Sequence, residues 1–164
     1  MGLRAMFRPG MRAYTVPLVA GATLSVSAFL PWVVVGDISL RGFPDTLALW
    51  ILGLGLVAAL LATLSLITRK NSRHPIFLIG LVALGIMFLS WRIMPRNVGE
   101  RALTRWQAIA IVENRPLGDA PVARAGSGIY LGLVSSVALV GFGLTIVVRR
   151  ASDAYVLTAT DDDA

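Results

Sequence analysis

Few residues of this 164-residue sequence are able to do chemistry, and their spacing limits what that chemistry is. One histidine, His74, stands beside Pro75 in a basic stretch with Arg69, Lys70 and Arg73. A lone imidazole near a membrane surface suits an axial ligand to a haem or pigment, but it cannot make a bis-histidine site, and a solvent-facing turn histidine accounts for it equally. Cysteine is absent, which excludes disulfides, thiolate metal sites, iron–sulfur clusters and cysteine nucleophiles. A zinc site would then need carboxylates, and these are scattered. Ser135 and Ser136 have no histidine or lysine at helical reach to act as a base, so back-bonding to a helix carbonyl is the role expected of them. Gly53-Leu54-Gly55 and Gly126-Ser127-Gly128 share only composition with phosphate loops, since no strand reading precedes them and no Gly-Lys-Ser/Thr follows. The expected catalytic and metal sets are therefore empty, and no enzyme is expected.

The elements that carry these residues are set by hydropathy. Apolar residues make up 56% of the chain and charged ones 15%, against about a quarter charged in a soluble domain, so lipid is the expected solvent for most of it. Four apolar runs are long enough for ~30 Å of hydrocarbon, at residues 15–35, 47–68, 76–94 and 129–148. Their interiors hold no Asp, Glu, Lys or His, and Arg92 lies near the end of the third, where its stem can snorkel. The runs lack the alternation of a transmembrane β-barrel. Val26-Ser27-Ala28 looks like a signal-peptide cleavage site, but the apolar run continues over residues 29–35, so retention as an anchor is expected. Between Pro95 and Pro116, Val98, Ala102, Trp106, Ile109 and Val112 recur at helical spacing. The fold expected is an all-α membrane protein: a four-transmembrane-helix bundle with an external amphipathic helix, residues 97–114, between helices three and four, serving as a lid on the bundle or a docking surface.

The net charge of +6 would suggest nucleic acid in a soluble protein, but here it reads as orientation, and no nucleic-acid partner is expected. Arg4, Arg8 and Arg12, then Arg69, Lys70 and Arg73, then Arg149 and Arg150 fall on one side of the four spans. The positive-inside rule makes that side the cytoplasm. This gives a basic cytoplasmic N-terminus at residues 1–14, a membrane domain at 15–150, and an acidic cytoplasmic tail at 151–164 ending in Asp161-Asp162-Asp163. Gly42-Phe43-Pro44-Asp45 reads as a turn in the first connection, with Asp45 or Thr46 available to cap the next helix. Residues 116–127 read as a returning loop. The third connection is less simple, because Arg96, Arg101, Arg105, Arg115 and Arg124 fall outside, as contacts for lipid headgroups or an acidic neighbour.

Small residues at four-residue spacing mark packing faces: Gly21 and Ser25, Gly55 and Ala59, and Gly128, Gly132 and Ser136. They are expected to meet inside the bundle or to dock onto foreign helices. Trp32, Trp50, Trp91, Trp106 and Tyr130 are expected as anchors at the outer membrane interface, with a partner-binding aromatic surface as the alternative.

Leu30-Pro31-Trp32 at the outer end of the first span, a Gly-containing short external loop, and Gly126-Ser127-Gly128-Ile129-Tyr130-Leu131 opening the last resemble the layout of small uncharacterised four-span membrane proteins of GC-rich bacteria. The heavy use of arginine over lysine agrees with a GC-rich genome. The resemblance implies a multi-pass protein of the bacterial inner membrane with no assigned chemistry. Claudin-like proteins share only the four-span layout, and the cysteine pair of their external loop is missing here. The function expected is a non-catalytic accessory or scaffolding subunit of a larger membrane complex, respiratory, photosynthetic or transport, with lipids and other integral subunits as partners. The alternative is a stand-alone protein holding a lipid, quinone or pigment between its helices, and a third is an oligomeric transporter.

Overall fold

The structure is a computed structural model. It describes residues 14–68, 73–114, 116 and 122–159, their side chains excepting residue 73 and residues 146–159. The basic residues before Tyr14, Arg69 and Lys70 of the second connection, Arg115 and the terminal Asp161-Asp162-Asp163 lie outside the described residues, and the side chains of Arg149 and Arg150 are not described.

The described residues form four helices: α1 (Thr15–Ser27), α2 (Thr46–Thr68), α3 (Arg73–Val112) and α4 (Ser127–Ala159). Segments of α2, α3 and α4 are long and apolar enough to cross a membrane; α1, at 13 residues, is shorter. The expected first span, residues 15–35, is thus corrected to a short helix followed by a strand. Pro31 explains the break. It has no N–H to give the helix, its ring would meet the Ser27 carbonyl one turn back, and it pushes Leu30 out of helical geometry. The last turn tightens accordingly: the N–H groups of Ala28, Phe29 and Leu30 bond the Ser25, Val26 and Ser27 carbonyls at 3.3, 3.0 and 3.3 Å, each three residues back.

Beyond Pro31 the β-branched residues Val33, Val34 and Val35 build β1 (Pro31–Val35), and Gly36-Asp37 turns it into β2 (Ile38–Arg41). Gly36 has φ +55°, the backbone that the first turn position of such a hairpin asks of glycine. A third strand, β3 (Ala123–Ala125), comes from the segment expected to be a plain loop and gives an antiparallel sheet of order β2-β1-β3. An all-helical description therefore holds for the bundle but not for its cap.

The third helix brings a second correction. The amphipathic segment at 97–114 is no separate helix; α3 runs through Pro95 as one 40-residue helix. Pro95 costs the bond its N–H would make to the Trp91 carbonyl, but the turns on both sides remain packed, against α4 below and against β1 and β3 above. The helix α4 likewise continues to Ala159, past the expected end of the membrane domain.

Packing is antiparallel: α1 lies along α2 and α4, and α3 along α4. The core is built from Leu24, Ile51, Ile76, Met87, Ile129 and Leu139, with alanines at the closest approaches. Tyr14 meets Phe142 edge-on, with ring centroids 5.3 Å apart, while Ser27 lies beside Gly128 and Gly132, so α1 accompanies α4 from the end of its apolar stretch to its start. Phe43-Pro44 is a cis peptide, and in the turn it forms Asp45 caps α2 as expected, its Oδ1 accepting from the Leu47 N–H at 3.4 Å.

Candidate functional site

Trp32 joins the bundle to the cap. The register of β1 on β2 slips between Pro31 and Val33, so Trp32 has no partner across the ladder, and such a bulge re-aims the side chain it carries. The indole is 1% exposed. This corrects its expected role as an interface anchor: its Nε1 donates to the Ser27 carbonyl at 2.9 Å, at the end of α1. Glycines make the room. A Cβ on Gly42 would lie 2.5 Å from Nε1, and one on Gly128 would lie 2.7 Å from Cδ1. The Trp32 carbonyl accepts the Gly126 N–H at 2.7 Å, where the backbones pass so closely that a Cβ on Gly126 would strike the Pro31 carbonyl. Leu30-Pro31-Trp32 and Gly126-Ser127-Gly128, far apart in the chain, are here one contact.

The small-residue faces also meet within the chain. A Cβ on Gly21 would come 2.7 Å from the Ala59 nitrogen and 2.8 Å from the Gly55 carbonyl oxygen. Ser25 fits between, its hydroxyl donating to the Gly21 carbonyl at 3.1 Å and lying 3.4 Å from the Leu52 carbonyl on α2. Gly132 faces Met87 and the Ser27 hydroxyl, and buried Ser136 donates back to the Gly132 carbonyl at 2.8 Å. Ser135 donates to the Leu131 carbonyl at 2.8 Å. These hydroxyls are occupied by helix carbonyls, as expected of serines without a base. Ser90 differs: its hydroxyl is buried with no hydrogen-bond partner among the described residues.

Trp50, Trp91 and Tyr130 are exposed, Trp91 with its ring centroid 5.9 Å from that of Phe88. His74 is exposed in the first turn of α3. Among the described residues no three His, Asp or Glu side chains gather where a metal ion could be held.

Trp106 stands apart, half-buried in a groove of about 490 Å³ between the β1–β2 hairpin and the far half of α3. The hairpin contributes Val35, Ile38 and Leu40, and α3 contributes the apolar stripe Val98, Ala102, Trp106 and Ile109 with Arg101 and Arg105 beside it. The stripe was legible at helical spacing, and both arginines stood out as external cations. The opposite wall is absent from that reading, which ends a span at Val35 and leaves Ile38 and Leu40 in the first connection; the Val-Val-Val-Gly-Asp-Ile-Ser-Leu hairpin pattern is the signal for it. Beside the groove, β3 crosses α3 at Gly99, whose missing Cβ would lie 3.3 Å from that of Ala123. Comparison of the chain with family models, curated proteins and solved structures returns no match.

Proposed function

We propose that the chain is a multi-pass protein of the bacterial inner membrane, both termini cytoplasmic, acting as a non-catalytic accessory or scaffolding subunit of a larger membrane complex. Crossing of all four segments is supported by Tyr14 and α1 lying beside α4 from Phe142 to Gly128, most of the apolar length of the latter. The 13 residues of α1 rise only ~20 Å. Residues 28–32 supply the rest: Ala28 and Trp32 are buried, and the Ala28 and Leu30 carbonyls accept the Phe43 and Gly42 N–H groups, internal bonding of the kind that non-helical backbone needs at membrane depth.

One observation carries the subunit reading. Past its apolar half α3 projects for a further ~27 Å, and at its tip Ile111 and Val112 are 76% and 83% exposed. Apolar side chains this exposed so far beyond the membrane-crossing stretch lie outside the bilayer, and a partner subunit would take them out of water. The chain extracted in mild detergent is expected to co-purify with another integral membrane protein, and the pair Ile111→Glu and Val112→Glu is expected to release it. A monodisperse 17.5 kDa protein without a stable companion overturns the proposal.

A further inference from the structure

The groove above α3's apolar half combines three properties that point to one ligand class. Its volume of about 490 Å³ lies within the ~300–1,000 Å³ of small-molecule sites. Its two walls are apolar and come from different elements, so a chain lying between them leaves water on both sides. Arg101 and Arg105, one helical turn apart on α3, stand along the same trough, and among the described residues neither is ion-paired; the neighbouring Glu100 carboxylate is bonded by Arg96 at 3.3 Å. Two guanidinium forks beside an apolar trough match a phosphate with an acyl chain attached. A larger concavity, about 690 Å³, flanks the same two arginines, but its walls all come from α3 and nothing closes over a ligand.

Position supplies the source of that ligand. Val98 lies one turn past Met94, so the trough opens ~6 Å beyond the apolar stretch of α3, at the depth of a headgroup layer about 5–8 Å thick. From Val98 to Ile109 it follows α3 for roughly 16 Å, room for part of an acyl chain beside the two arginines. We infer that the groove takes one anionic phospholipid from the bilayer, an acyl chain between Ile38 and Trp106 and the phosphate on Arg101 and Arg105. The inference rests on the membrane reading proposed above but not on a partner subunit.

The test uses the full chain reconstituted with equal amounts of phosphatidylglycerol and phosphatidylcholine of identical chains, then mild detergent and native mass spectrometry. One retained phosphatidylglycerol per chain is expected, with phosphatidylcholine at a tenth of that or less. Arg101→Gln with Arg105→Gln is expected to lower retained phosphatidylglycerol at least tenfold, and Trp106→Ala severalfold, while Arg96→Gln, on an arginine outside the groove, retains the wild-type amount. Both groove arginines are exposed, so their loss leaves the fold in place, checked by unchanged circular dichroism. Equal retention of the two lipids, wild-type retention in the double variant, or displacement by millimolar inorganic phosphate each overturns the inference; the last would make it a site for free anions. Extraction of the chain from membranes by alkaline carbonate would remove the membrane reading itself, whereas failure to co-purify a partner touches only the subunit reading.

Discussion

At the scale of single residues, the glycines divide by what a methyl group would meet. Gly21, Gly55 and Gly126 face backbone atoms of another segment, which cannot move aside without shifting a helix or strand. Gly132 faces the end of Met87, a flexible thioether, as well as the Ser27 hydroxyl, and Gly53, Gly85 and Gly141 face nothing within 4 Å. Alanine at Gly21, Gly55 or Gly126 is therefore expected to cost about 1–3 kcal/mol in detergent unfolding, by overpacking. At Gly132 the cost should be smaller, and at Gly53, Gly85 or Gly141 alanine should be neutral or stabilising by up to ~1 kcal/mol. A uniform loss across both groups would contradict the assignment of contacts. Trp32 belongs at the same scale: Trp32→Ala leaves a cavity and should cost about 3–5 kcal/mol, whereas Trp32→Phe keeps most of the volume and should lose chiefly the bond to Ser27, ~1 kcal/mol. Were Trp32 a membrane-interface anchor, the two substitutions would differ little in unfolding. The spacing of the small residues was legible from the sequence, but burial of Trp32 was not, because its pocket is made by glycines from two distant segments, Gly42 in the turn and Gly128 at the start of α4.

Among the elements, the three longest helices were legible because a membrane-length apolar run has few other solutions, and their observed starts lie within a few residues of those expected. The first span was not, since hydropathy alone cannot distinguish a buried strand from a buried helix. Pro31 and the Gly36-Asp37 turn held the distinction, through backbone chemistry that a hydropathy window averages away. That hairpin has a test of its own. Gly36 is exposed and a Cβ there would touch nothing, so any penalty on Gly36→Val is conformational, about 1–2 kcal/mol for forcing a β-branched residue to positive φ. Gly36→Asn, which tolerates that region better, should lose less. If both substitutions leave unfolding unchanged, the turn is not as described. Through α3 the opposite lesson holds: Pro95 looks like a stop, yet the helix continues because tertiary packing on both sides outweighs one missing hydrogen bond.

For the whole molecule, antiparallel packing puts the start of α3 and the sheet at opposite ends of the bundle. Phe77 near the first lies against Gly143 of α4, whereas Gly99 lies against Ala123, before α4 begins. If the bundle lies in a membrane with its long helices crossing, His74 and Asn114 must face opposite aqueous compartments. The absence of native cysteine makes this directly measurable, since a single introduced thiol is the only one present. Ser39→Cys in the hairpin and Asn114→Cys beyond α3 are expected to react with a membrane-impermeant maleimide from one side of sealed vesicles, and His74→Cys only from the other. On the proposed orientation the His74 side, flanked by the basic residues of the second connection, is cytoplasmic, and in intact cells Ser39→Cys and Asn114→Cys should then label and His74→Cys should not. Labelling of His74→Cys and Asn114→Cys from the same side would mean that α3 does not cross, and the cap with its arginine-lined groove would then face the compartment assigned to the tails. Ser39→Cys adds a separate check on α1, because β2 reaches the cap side only if residues 15–32 together take the chain across.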